Sequence, residues 1–119
     1  MKNLEVAKAF RDIAKILQIK GDNPFRIRAY ERGAQNIEGL TEDLEEYIRR
    51  DALLEIPGIG RDLERKIKEI TATGKLKYFQ DLAKTVPQGL LELLNIPSIG
   101  PKTAKLLYEK LKVKTLSDL

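Results

Sequence analysis

Residues 53–60 read LLEIPGIG, and residues 93–100 read LLNIPSIG. At an offset of 40, Leu53, Leu54, Ile56, Pro57, Ile59 and Gly60 recur as Leu93, Leu94, Ile96, Pro97, Ile99 and Gly100. Each copy runs into a charged amphipathic segment, RDLERKIKEI after the first and PKTAKLLYEK after the second. A repeated unit of this kind predicts a short apolar helix, a tight Gly-containing turn and a second helix, twice over. The turn glycine lets backbone approach a ligand closely, and the new helix starts with unpaired amides at the positive end of its dipole. Such a helix start is an anion site. Arg61, Arg65 and Lys66 in the first copy, and Lys102 and Lys105 in the second, add counter-charge. Binding of a phosphate backbone is the working reading; an αα-hairpin with a purely structural turn is the alternative.

The rest of the chain is helical in period, which makes the fold all-α. Leu4, Ala7, Phe10, Ala14 and Leu17 fall at three- and four-residue steps and predict one apolar stripe. GDN breaks this helix, and Asn23-Pro24 reads as an N-cap followed by Pro at the first helical position. The second helix is expected to run to about residue 37, burying Ile27, Tyr30, Ala34 and Ile37, with Gly39 ending it. Thr41 is expected to cap a third helix with an acidic first turn. No stretch has the alternation of a strand.

Composition narrows the chemistry. The 119 residues contain no Cys and no His, which removes disulfides, thiol nucleophiles, zinc sites and a Ser-His-Asp triad. With 22 Lys plus Arg against 18 Asp plus Glu, the net charge is only +4, so distribution matters more than balance. Residues 38–46 hold five acids and no base, whereas Lys102, Lys105, Lys110, Lys112 and Lys114 face only Glu109. One surface is therefore expected to repel polyanions and another to attract them. No apolar run approaches the roughly 18 residues of a membrane span. The N-terminus has no signal-peptide layout, so an intracellular, cytoplasmic protein with no membrane partner is expected.

The two repeated segments resemble helix-hairpin-helix motifs, and the likeness extends further. Asn23-Pro24-Phe25-Arg26-Ile27-Arg28-Ala29-Tyr30 is similar to a helix start in the amino-terminal lyase domain of family X DNA polymerases. EIPGIG…KI…TATGKL over residues 55–76 resembles that domain's hairpin and following helix. SIGPKTAKLLYEKLKVKTLSDL over residues 98–119 resembles the second hairpin, which opens the fingers region. The resemblance implies a lyase-like domain over residues 1–86 and a second hairpin over 87–119. Palm carboxylates for nucleotidyl transfer are absent from these residues, so the chain is not a polymerase on its own. Its final residues, Thr115 to Leu119, look like a short capped helix cut from its continuation.

The resemblance also implies roles. Turn amides around Gly58, Ile59 and Gly60, and around Ser98, Ile99 and Gly100, would bond phosphate oxygens. Carbonyls of Leu54, Ile56 and Ile59, and of Leu94, Ile96 and Ile99, would hold Na+ or K+ bridging to the phosphate. Lys66 matches the amine that forms a Schiff base with a 5′-deoxyribose phosphate, chemistry that needs no cofactor. Periodicity sets Lys66 at the edge of the Leu63, Ile67 and Ile70 stripe, where neighbouring cations are expected to favour the free amine. Arg26 and Tyr30 match positions that hold the 5′-phosphate; Tyr30 also reads as a core aromatic, and Arg26 as a partner of Asp22 or Glu31. Asp62, Leu54 and Tyr78 stand where mammalian relatives carry basic residues, and Phe25 where they carry His, with Arg61 a partial substitute. The partner implied is gapped, nicked or duplex DNA bound by a monomer without sequence preference. The rival is a helical protein-interaction module.

Overall fold

The computed structural model describes residues 2–94, with Leu106 and Glu109. The expectations for Ile96, Ser98, Ile99, Gly100, Lys102 and Lys105 lie outside these residues. The described chain is all-α, as the periodicity predicts. It comprises α1 (Lys2–Ile19), α2 (Pro24–Glu38), α3 (Leu44–Arg49), a single 3-10 turn (Leu53–Glu55), α4 (Arg61–Thr73), α5 (Lys77–Ala83) and α6 (Gln88–Leu94).

The connections follow from local chemistry. α1 ends in a Schellman motif: Asp22 N–H donates to the Leu17 carbonyl and Gly21 N–H to that of Gln18, with Gly21 at φ +75°. Asn23 then caps α2, its Oδ1 accepting from Phe25 N–H at 2.8 Å, and Pro24 takes the first helical position. Gly39 closes α2 as expected.

Two expectations need correction. Leu4 is 68% exposed; Ala7, Phe10, Ala14 and Leu17 are buried as expected, but in the first turn the buried face runs through Asn3 and Val6 instead. Thr41 does not cap α3, which starts only at Leu44 with Asp43 at its N-cap and no side-chain cap from that residue. The cap comes from afar: buried Asn3 accepts from Leu44 N–H and donates to the Glu42 carbonyl, both at 2.8 Å. An acceptor 41 residues upstream leaves no local signature.

α3 ends in a second Schellman motif, with Ala52 N–H donating to Tyr47 and Asp51 N–H to Ile48. Here the left-handed position is Asp51, at φ 54°. Gly carries no Cβ penalty at such a residue. Asp51→Gly is accordingly expected to stabilise the chain by about 0.5–1 kcal/mol in a denaturant titration; a loss of stability would contradict this assignment.

One core joins these elements. Phe10, Ile13 and Leu17 of α1, Tyr30, Ala34 and Ile37 of α2, Leu44, Leu53, Ile56 and Ile59, and Leu63, Ile67 and Ile70 of α4 form a contiguous buried cluster. Phe10 meets Tyr30 edge-on, with ring centroids 5.6 Å apart. A smaller cluster, Ile16, Ile19, Val86 and Leu90, covers another side of α1. Gly33 sets the approach of α4 to α2, since a Cβ there would lie 3.0 Å from Leu63 Cδ1.

Candidate functional site

The first hairpin is a tight turn with a physical reason for each residue. Ile59 N–H donates to the Ile56 carbonyl at 3.1 Å, closing a four-residue turn. Pro57 occupies its second position and Gly58, at φ +82°, its third, the residues a type II turn requires. The element before it is a single 3-10 turn rather than the expected short helix, because only three residues separate Ala52 from Ile56. α2 braces the turn from behind. Asn36 Nδ2 donates to the Pro57 carbonyl at 2.6 Å. A Cβ on Gly58 would lie 3.0 Å from Asn36 Nδ2 and 3.2 Å from Arg32 Cγ.

The backbone groups beyond the turn are what an anion site needs. Gly60 is the extended N-cap of α4 and offers no side chain to its first turn. The expected set of turn donors is narrowed by one, since Ile59 N–H is spent within the turn. Among the described residues, Gly58 and Gly60 amides take no backbone partner. Arg61, exposed, opens α4. The carbonyls of Leu54 and Ile59 accept no backbone hydrogen bond, and that of Ile56 has one lone pair left after Ile59. The three carbonyls named for a cation therefore all keep acceptor capacity. Leu94, the matching residue of the second copy, is the last residue of α6.

A cleft opens beside this helix start, lined by Arg26, Ala29, Tyr30, Gly60, Asp62, Leu63, Lys66 and Tyr78. Arg26, Tyr30 and Lys66, expected at one site, share this concavity with Gly60 of the hairpin. Lys66 lies at the edge of the buried stripe, its side chain only 14% exposed, whereas Arg65 at 78% points outward. Its Nζ sits 4.8 Å from the ring centroid of Tyr78 and 5.9 Å from that of Tyr30. Those rings stack at 6.2 Å, only 7° from parallel. Tyr30 is thus both a core aromatic and a cleft wall. Burial, with Tyr78 and Asp62 nearby, holds its phenol far above the ordinary range, so it stays protonated and a hydrogen-bond donor. Arg26 reaches Asp22 only loosely, at 3.9 Å, and is largely exposed.

The charge next to Lys66 is the reverse of the expected one. Instead of neighbouring cations, both oxygens of Asp62 hold Nζ, at 2.8 and 2.7 Å. The hydrogen bond to Lys66 keeps the Asp62 carboxyl below the usual carboxylate range. The acidic segment also differs from expectation: Glu38 pairs with Arg11, Glu42 with Arg50, Glu45 with Lys2 and Glu46 with Arg49, so much of its charge is offset locally. Arg28, Arg32 and Arg61 enter no ion pair among the described residues.

In the sequence, Tyr78 and Asp62 stand out only as departures from basic positions. The i,i+4 spacing of Asp62 and Lys66 could have shown their pairing. The Tyr30–Tyr78 stack and the Asn36 brace are tertiary and carry no such signal.

A Pro-Gly turn feeding an uncapped helix, braced by a preceding helix hairpin, defines a helix-hairpin-helix fold. The helix-hairpin-helix domain family matches residues 1–76, and the SAM-like helix-hairpin-helix tandem family matches residues 90–119. The chain is 33% identical over all 119 residues to the DNA polymerase/3′-5′ exonuclease PolX of Bacillus subtilis, covering 20% of that protein. It is 28% identical over 118 residues, 98% of the chain, to DNA polymerase lambda of Rattus norvegicus, covering 19% of it. The chain belongs to the helix-hairpin-helix domain family, and both relatives are family X DNA polymerases. It spans about a fifth of the length of these curated relatives. No helix among the described residues is long and apolar enough to cross a membrane.

Proposed function

We propose that the chain is a DNA-binding module that grips phosphates at gaps or nicks, and that Lys66 acts there as a 5′-deoxyribose-phosphate lyase amine. The observation that carries the reading is the shared cleft: Lys66 Nζ, Arg26 and the uncapped start of α4 at Gly60 converge on one concavity. Residues 1–86 would form the lyase-like unit and residues 87–119 the second grip. Both named relatives are DNA polymerases, which supports DNA as the partner.

Each part has a task. The Gly58 and Gly60 amides and the α4 start take phosphate oxygens, with Arg61 adding charge. Na+ or K+ on the carbonyls of Leu54, Ile56 and Ile59 would neutralise one phosphate oxygen more. The second hairpin, through Ser98, Ile99, Gly100, Lys102 and Lys105, would hold the far side of the gap. Arg26 binds the terminal 5′-phosphate and Tyr30 donates its phenol proton to the same group. Lys66 Nζ, once unprotonated, adds to the C1′ aldehyde and expels water to form an imine. Loss of a C2′ proton then expels the phosphate on C3′, and water returns the amine.

Backbone contacts position a protein without reading bases. Binding to gapped duplexes of unrelated sequence is therefore expected to be equal within a few-fold, and to fall linearly in log–log salt titration. Gly58→Val should lower that affinity at least tenfold, because a β-branched residue does not take the positive φ of the turn. Salt-independent binding, or full affinity in the variant, would sink the hairpin grip.

A further inference from the structure

We infer that Asp62 is the general base that takes the C2′ proton during the elimination at Lys66, an inference that rests on the lyase reading above. Both carboxylate oxygens of Asp62 lie against Lys66 Nζ, at 2.8 and 2.7 Å. When Nζ becomes the nitrogen of the imine, C1′ is bonded to it and C2′ is the next atom. A base for C2′ must stand within hydrogen-bond reach of that position. Asp62 and Lys66 are four residues apart on α4, so the base and the amine keep their register for as long as the helix holds.

Asp62 is the cleft group best suited to the task. α2 contributes Arg26 and Tyr30, α4 contributes Asp62 and Lys66 with Arg65 3.4 Å from Asp62, and α5 contributes Tyr78. The arginines are permanently charged donors, and Tyr30 keeps its proton. Asp62 is the one carboxylate lining the cleft. It is ionised at neutral pH and so already in its basic form.

The step balances as follows. Asp62 takes the C2′ proton of the iminium, and the C–H electron pair forms C1′=C2′ as the nitrogen charge is quenched. The enamine then breaks the C3′–O bond, the oxygen leaves with the phosphate, and a conjugated iminium remains. Water hydrolyses it to the unsaturated aldehyde and free Lys66. While cationic, the iminium also keeps the ion pair that Asp62 makes with the resting ammonium.

The test separates imine formation from elimination. On a nicked duplex carrying a 5′-deoxyribose phosphate, borohydride traps the imine, and single-turnover release of the sugar phosphate reads the elimination. Asp62→Asn preserves shape and should retain the trapped adduct at wild-type level or above, while release slows about a hundredfold or more. Asp62→Glu should recover part of that rate. A C2′-deuterated sugar should slow release by the wild type. Release at the wild-type rate in Asp62→Asn would overturn the base assignment alone. So would equal losses of adduct and release, since Asp62 would then only position Lys66. Absence of any adduct in the wild type would overturn the lyase reading and this inference together.

Discussion

Phe10→Ala is expected to lower the unfolding free energy by about 3–5 kcal/mol, the usual cost of removing a fully buried aromatic ring. Against a total of roughly 5–15 kcal/mol for a small domain, this is about a fifth of the stability or more. Phe10 has no exposed surface and stands at the meeting of three elements. Its ring packs edge-on against Tyr30 of α2 and lies 3.6 Å from where a Cβ on Gly33 would be, beside Ile59 and Leu63. The cavity left behind is bordered by α1, α2 and the hairpin, so no single side chain can fill it. Urea titration followed by circular dichroism should show a lower midpoint with an unchanged slope. A loss below about 1 kcal/mol would mean that this core does not hold the hairpin against the helix pair. The effect should reach the cleft as well, because Tyr30 forms the wall on which Tyr78 stacks and over which Lys66 lies.

Much of this arrangement is legible in the chain itself. The α2 boundaries follow from Asn23, Pro24 and Gly39, each acting on its immediate neighbours, and local rules place them to within a residue. The stripes of α2 and α4 follow from helical period, which also sets Lys66 at an edge and Arg65 outside. The 40-residue repeat picks out the hairpin, since Pro57 and Gly58 make a turn that few other pairs of residues would.

What escapes the sequence is long-range. The α3 cap comes from Asn3, and nothing near Leu44 announces it. Leu4 shares the period of the buried stripe and still faces outward, because in the first turn of α1 the buried positions are Asn3 and Val6. The acidic stretch around Glu42 looked repulsive in one dimension, but Arg11, Arg50, Lys2 and Arg49 offset it in three. At the candidate site the same contrast holds. Arg26, Tyr30 and Lys66, assigned to one site, line one cleft with Gly60, whereas the group in contact with the amine proved to be an acid, not a cation.

That acid makes the role of Lys66 the point on which the account turns. A lysine paired to a carboxylate and packed over two tyrosines is also what a purely structural residue looks like. Binding and chemistry must therefore be read on the same sample. Lys66→Ala removes the amine and one exposed-side ion pair, but no turn amide and no part of the Phe10 core. The most direct measurement is borohydride trapping on a nicked duplex bearing a 5′-deoxyribose phosphate, comparing wild type with Lys66→Ala while binding is measured in parallel. The account predicts a covalent adduct with the wild type, none with Lys66→Ala, and affinities that agree within a few-fold. An adduct that survives the substitution, or a wild type that binds the nick and forms none, would contradict it.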